Sequence, residues 1–168
     1  MKLIRFISDH YDLVAGWFTT EADITQWGGP NLPFPLSFES LKAIHENLAP
    51  PYLERLFWMA EKDGACIGHI QLGIDRANGT ARIFRVGIAP SERGKGLSTP
   101  MLRLVIDEAF KNPDVQRVDL NVYSFNKPAI RAYSKLGFMD EGTRRSFTKV
   151  GSQRWDNTMM GLLRDEWV

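Results

Sequence analysis

Residues 81–110 read ARIFRVGIAPSERGKGLSTPMLRLVIDEAF. An extended apolar run from Ile83 to Ile88 meets a turn marked by Pro90, then the basic segment Arg93-Gly94-Lys95-Gly96-Leu97-Ser98. A helix follows. Its apolar stripe is Leu102, Val105, Ile106 and Ala109, with Arg103, Asp107, Glu108 and Lys111 elsewhere on its surface. Strand, glycine-bearing turn and helix start, in that order, make a seat for an anion. The first N–H groups of a helix have no partner inside it, and the helix dipole favours negative charge there. Gly94 and Gly96 permit close approach to the backbone and φ values closed to other residues. Arg93 and Lys95 add positive charge. The stretch reads as the seat of a cofactor diphosphate, although a tight connection with solvated charges would use the same residue types.

Two familiar phosphate loops do not fit. A P-loop needs Gly-Lys followed by Ser or Thr, and here Lys95 is followed by Gly96. A dinucleotide fingerprint needs a third small residue and an acid at the end of the next strand. Asp114 lies at about the right distance, but beside Pro113 and ahead of the next strand, where it reads as a turn residue.

Residues 2–7 alternate like a strand. Ser8-Asp9 offers a cap for a helix from Tyr11 to Phe18, and Thr20-Glu21-Ala22-Asp23 starts another short helix. Residues 26–36, QWGGPNLPFPL, break both periodicities and read as a structured loop. Trp27, Phe34 and Leu36 are apolar enough to pack, either as a lid on the core or as the frame of a substrate pocket. Ser37-Phe38-Glu39-Ser40 resembles a cap, with a helix over 38–48 ending before Pro50-Pro51. Residues 55–61 and 65–74 read as a hairpin turned at Lys62-Asp63-Gly64, and 75–79 as a second turn into the strand at 81–88. Three antiparallel strands thus precede the glycine turn, which is not the alternating grammar of a doubly wound sheet. Downstream, Val118, Leu120 and Val122 alternate with polar residues as a one-sided strand. Asn126 caps a short helix that Gly137 stops, and 138–148 with 153–163 form a closing hairpin about residues 149–152.

At 168 residues, 43% hydrophobic and 24% charged, the chain suits one domain over 1–168 with a sizeable core. A formal net charge of +1 argues against a general nucleic-acid binder. Cys66 is the only cysteine, so no internal disulfide forms. No long apolar run suggests a membrane span, and the expected location is cytoplasmic.

The second constellation is Asn126-Lys127-Pro128-Ala129-Ile130-Arg131-Ala132-Tyr133-Ser134-Lys135-Leu136-Gly137-Phe138. Asn126 and Tyr133 are two helical turns apart, so both can face one side. Together with the Arg93–Ser98 turn some thirty residues earlier, this run closely resembles the GCN5-related N-acetyltransferase (GNAT) superfamily. Ser98 departs mildly from the Gly or Ala that ends the family's turn. The resemblance is strong from about Cys66 to Glu141. The final residues, Met160 to Trp167, resemble the branch that includes ribosomal-protein acetyltransferases, which also has many small-molecule members.

The resemblance implies a mixed α/β (α+β) fold. Its twisted, mostly antiparallel sheet would have about seven strands, with splayed fourth and fifth strands and helices on both faces. It implies acetyl-CoA in the splay. The pantetheine arm would pair with Val86, Gly87 and Ile88, and the pyrophosphate would sit on the N–H groups of Gly94, Lys95, Gly96, Leu97, Ser98 and Thr99, with Arg93 in support. Asn126 would contact the arm, and Tyr133 would lie near the sulfur as general acid. The activity implied is acetyl transfer to a primary amine of a small molecule or a protein N-terminus, often by a homodimer. A catalytically silent acyl-CoA-binding sensor on the same fold is the alternative.

The chemistry suits those residue types. Attack on a thioester generates an oxyanion that a strand N–H can stabilise, and a phenol can protonate the departing thiolate. Tyr133 could also be a plain core aromatic, and Asn126 only a helix cap. No general base is assigned. The related branch carries a glutamate where this chain has Asn121, while Asp119, Glu141 and His69 each have structural readings. Segments 20–50 and 142–156, with Trp27, Phe34, Phe147 and Trp155, are expected on the acceptor side. They hold no concentrated acidic cluster, which disfavours a strongly polycationic acceptor.

Overall fold

A computed structural model describes residues 1–46 and 53–168. Seven strands form one sheet in the order β1-β2-β3-β4-β5-β7-β6: β1 Lys2–Arg5, β2 Leu53–Lys62, β3 Ala65–Asp75, β4 Thr80–Ile88, β5 Arg117–Tyr123, β6 Met139–Val150 and β7 Gln153–Leu163. The helices are α1 Tyr11–Ala15, α2 Glu21–Gly28, α3 Phe38–Glu46, α4 Ser98–Phe110 and α5 Lys127–Lys135. This is the mixed, mostly antiparallel architecture expected. Among the described residues, no helix is long and apolar enough to cross a membrane.

The parallel pair β4–β5 positions the site. Its register runs only from Thr80↔Arg117 to Ile83↔Leu120. Beyond that, Phe84–Ile88 and Asn121–Tyr123 diverge. A bulge contributes: between His69 and Gln71 of β3 the register with β4 slips by one residue, and Arg85 there takes φ +47. A bulge bends its strand and sharpens the twist. At the closed end, Arg82 pairs with Asp119 across the two strands. Arg117 lies 3.6 Å from Asp119 and grips Glu141 on β6 with both guanidinium arms, one contact at 2.6 Å.

Period-two alternation along the strands gives the sheet two buried faces. Ile70, Leu72 and Ile74 of β3 pack with Leu102, Val105 and Ile106 of α4 and with Tyr133, Leu136 and Phe138 at and after α5. Phe6, Tyr11, Val14, Trp27 and Leu41 form a second core with Met59, under α1–α3.

Several local readings change. The first helix is shorter than Tyr11–Phe18 and follows a tight turn over Ser8–His10. His10 Nδ1 accepts the Ile7 N–H at 3.1 Å, and neither Ser8 nor Asp9 caps α1. Thr20 does cap α2, accepting the Asp23 N–H at 3.1 Å. That helix runs on through Gln26, Trp27 and Gly28, because Ile24, Thr25 and Trp27 bury one of its faces; the loop begins at Gly29. Phe34 is 53% exposed rather than packed, while Leu36 is buried as expected. The expected end of the third helix, at 47–48, lies outside the described residues. The last hairpin turns at Gly151-Ser152 alone, two residues tighter than expected.

The start of β4 depends on Gly79. It has φ +64, its carbonyl accepts the Gln116 N–H at 2.8 Å, and a Cβ there would lie 2.5 Å from the Asp114 carbonyl oxygen. Asp114 is thus a turn residue, as read. Gly79→Ala needs both a strained backbone and a displaced peptide. We expect it to lower stability in urea unfolding by more than about 1 kcal/mol; a smaller change would show that this turn yields freely.

Candidate active site

Where β4 and β5 part, a cavity of about 1070 Å³ opens. One end is the glycine turn. Gly94 and Gly96 adopt φ +78 and +74, and a Cβ on either would meet nothing within 4 Å. The backbone N–H groups from Gly94 to Thr99 donate to no acceptor among the described residues. Six main-chain donors ahead of and within the first turn of α4 are thereby open to a ligand, as an anion seat requires.

The two cations of this turn do something other than the sequence suggests. Arg93 donates to the carbonyls of Ile88 and Trp17, each at 3.1 Å, and so ties the turn to the end of β4 and to the segment after α1. Lys95 Nζ sits 2.9 Å from Glu92, and Lys95 does not line the cavity. The donors left open at this turn are therefore chiefly backbone, with Arg93 holding the turn in place.

Tyr133 and Asn126 line the same cavity as Val86, Gly87 and Ile88. Asn126 caps α5, its side-chain oxygen accepting the Ala129 N–H at 3.3 Å, so the capping reading holds for that oxygen. Tyr133 is 7% exposed, packs edge-on against Phe138 at 5.9 Å, and its hydroxyl has no hydrogen-bond partner among the described residues. Burial pushes its phenol up to about 12. It is thus both a core aromatic and a cavity residue.

The acidic and imidazole alternatives are engaged elsewhere. Asp119 and Glu141 belong to the ion-pair chain at the closed end, where the Arg117 hydrogen bonds hold the Glu141 carboxyl below its usual range. His69 is fully buried, and burial followed by the charge of Arg85 pushes it down to about 3. Asn121 does line the cavity.

On the α2 side, Trp27 donates its indole N–H to the Arg85 carbonyl at 2.9 Å and stacks on Phe18 at 4.6 Å. Trp27 and Phe147 line the cavity. Phe34 and Trp155 do not: Phe34 faces solvent, and Trp155 packs edge-on against Tyr123 and Phe125 at 5.0 and 4.8 Å. Sequence reading missed Arg55 and Arg85, which line this region, and Gln71, whose side-chain oxygen accepts from both at 2.9 and 3.0 Å. The available signal was a polar i, i+2 pair, His69 and Gln71, inside the apolar run of β3.

A splayed parallel pair with open main-chain donors at one end and a buried phenol beside it is the arrangement that the GNAT resemblance implies for an acyl-coenzyme cleft. Comparison with known proteins agrees. The sequence model of the acetyltransferase (GNAT) family matches residues 21–138. The chain is 34% identical over 139 residues to the SPbeta prophage-derived uncharacterized N-acetyltransferase YokL of Bacillus subtilis, covering 82% of this chain and 77% of that one. It is 30% identical over 104 residues to the L-amino acid N-acetyltransferase AaaT of Escherichia coli, covering 61% and 64%. The crystal structure of spermidine N-acetyltransferase from Vibrio cholerae in complex with CoA and spermine shares the fold, with a TM-score of 0.79 over 98% and 96% of the chains at 20% identity. The chain belongs to the acetyltransferase (GNAT) family and is an acetyl-CoA-dependent N-acetyltransferase. The six open N–H groups and the cavity between the strands fit that donor.

If the seat is main-chain, a side chain that crowds it matters more than a lost surface charge. In calorimetric titration with coenzyme A, Gly96→Ala is expected to weaken binding by about tenfold or more. Lys95→Ala should change it by less than about threefold, because an exposed pair is worth little. The reverse order would show that the lysine, not the backbone, grips the anion.

Proposed function

We propose that the protein, as one domain over 1–168, transfers acetyl directly to the primary amine of a small molecule. The observation that carries this reading is the run of open N–H groups from Gly94 to Thr99 at one end of a cavity whose wall includes Tyr133. Bound acetyl-CoA supplies an electrophilic thioester carbonyl and a thiolate leaving group. The residues at 94–99 hold the diphosphate, and Val86, Gly87 and Ile88 offer the unpaired edge of β4 to the arm. Asn126 supports the arm while its oxygen caps α5.

Tyr133 is assigned to the leaving sulfur. A phenol raised to about 12 stays protonated across the working range and is a weak acid toward a thiolate with pKa near 8.5. Its contribution is therefore mainly a hydrogen bond donated to the departing sulfur as charge develops. Direct transfer is favoured over an acyl-enzyme because Cys66, the sole cysteine, lies outside the cavity wall, and burial, then Glu61, push its thiol up. The relatives' names diverge, an L-amino acid in one and spermidine in another, so they support only a small amine as acceptor. A protein N-terminus is the other acceptor the resemblance implies, and no observation here favours it; a cytoplasmic location and a homodimer are parts of this proposal, the last to be checked by sedimentation.

The test is free-thiol release from acetyl-CoA with an amine panel, beside calorimetry of coenzyme A. Turnover with at least one amine is expected; binding without turnover on any of them would favour the silent sensor. Tyr133→Phe should lower kcat by roughly ten- to a thousandfold while sparing coenzyme affinity, and unchanged kcat would remove the residue from the chemistry. With His69 neutral above about pH 3 and Tyr133 protonated to about 12, kcat/KM should climb with pH toward the free amine's own pKa. It should show no histidine-like limb near 6.5 and no fall before about pH 10. A bell centred near neutrality would overturn this assignment.

A further inference from the structure

The cavity wall includes two arginines, Arg55 and Arg85, that no carboxylate neutralises among the described residues. Arg55 on β2 and Arg85 at the β4 bulge donate to the same oxygen, Gln71 Oε1, at 2.9 and 3.0 Å. A guanidinium only donates, so the amide of Gln71 has one workable orientation, oxygen to the arginines and nitrogen to His69. Gln71 Nε2 lies 3.0 Å from His69 Nε2, which must then accept and carry no proton. That agrees with a ring kept neutral by burial and by Arg85. His69 and Gln71 are 0% and 1% exposed. Together they form a rigid, uncharged bracket holding two cations.

Neither arginine has an ion-pair partner among the described residues. Residues 47–52, NLAPPY, contain no acid. Arg85 Nε is buried with no acceptor among the described residues. Burial, then Arg55, push the Arg85 guanidinium down to about 10, which leaves it charged at neutral pH. Of the carboxylates on the cavity wall, Glu92 is occupied by Lys95, and Asp23 pairs with neither arginine. Two like charges sharing one neutral acceptor in a half-buried site are costly unless an anion completes the set.

We propose that Arg55 and Arg85, set by Gln71, form a subsite for a carboxylate on the acceptor, so that the substrate is an amino-carboxylate such as a free amino acid. The inference rests on the acetyl-transfer reading and adds the chemical class of the acceptor. Two planar forks match a carboxylate's two oxygens. The surroundings are apolar and aromatic: Arg55 lies over Phe57 and Phe84 at 5.0 and 6.0 Å, and Arg85 over Trp27 at 5.9 Å. The same pair repels a polyamine. It also disfavours the ammonium form of an amine held nearby, which eases proton loss at a site with no assigned base.

The experiment compares phenylalanine, leucine and methionine with their C-terminal amides, and with spermidine, by thiol release. The amide's amine is the less basic of each pair, so a preference for the acid reads the carboxylate and not the supply of free amine. A peptide or protein N-terminus belongs with the amides. We expect kcat/KM at least about tenfold higher for the acids than for their amides, with spermidine at background. Gln71→Glu, which places a carboxylate between the two guanidiniums, should fold with undiminished Tm and lose the preference; Arg55→Gln should lose it as well. Equal use of acid and amide, or preference for spermidine, overturns the subsite while leaving acetyl transfer standing. If no amine releases thiol, the transfer reading fails, and calorimetry of the same acids and amides decides the subsite. Binding of the acids alone, abolished in Gln71→Glu, upholds it, and indifference to the carboxylate overturns it.

Discussion

A parallel pair that stays in register for four residues and then separates is the constraint on which this molecule turns. Backbone N–H and C=O groups in a half-buried place need partners. β4 and β5 satisfy one another from Thr80 to Ile83 and from Arg117 to Leu120, and no further. The ion-pair chain from Arg82 through Asp119 and Arg117 to Glu141 lies at the joined end. At the open end the strand edges face a cavity, and a ligand with an amide-bearing arm can supply what the neighbouring strand does not. The bulge at Arg85 helps to turn β4 away and, by the same kink, aims a guanidinium at the acceptor side.

The proposed anion seat would need little side-chain charge. Arg93 is spent on the carbonyls of Ile88 and Trp17, and Lys95 on Glu92. What stays open among the described residues is main chain, in a turn that contains two left-handed glycines. Arg93 is a positioning residue: it fastens the turn to the strand end so that the donors keep their direction.

Much of this was legible in the sequence, for physical reasons. Gly94 and Gly96 announce their backbone conformations, the stripe of α4 announces its buried face, and Asn126 with Gly137 brackets α5. The antiparallel run β2-β3-β4 and the β6–β7 hairpin followed from turn signals such as Asp63-Gly64, whereas the place of β7 between β5 and β6 did not. Other features left no local trace. Arg85 takes a positive φ without being glycine, asparagine or aspartate, because tertiary contacts from Trp27 and Gln71 hold it there. Gln26–Gly28 read as loop because the two glycines and three prolines of 26–36 outweighed the pull of Trp27 toward the core. Lys95 looked like a ligand cation because spacing cannot say which way a flexible side chain will turn. The cluster of Arg55, Gln71 and Arg85 joins three strands, and such a meeting is visible only once strand register is known.

The sheet separates two apolar layers, one packed under α4 and α5, the other under α1–α3. The parts assigned to the acyl donor rest mainly on the first layer, with Arg93 reaching across to Trp17 of the second; Trp27, Arg55 and the bracket behind it belong to the second. The two layers are coupled where Arg93 donates to the Trp17 carbonyl and Trp27 to that of Arg85, so substitutions away from these links should act nearly independently. The amine pocket could then be reshaped on one flank without repacking the layer under α4 and α5.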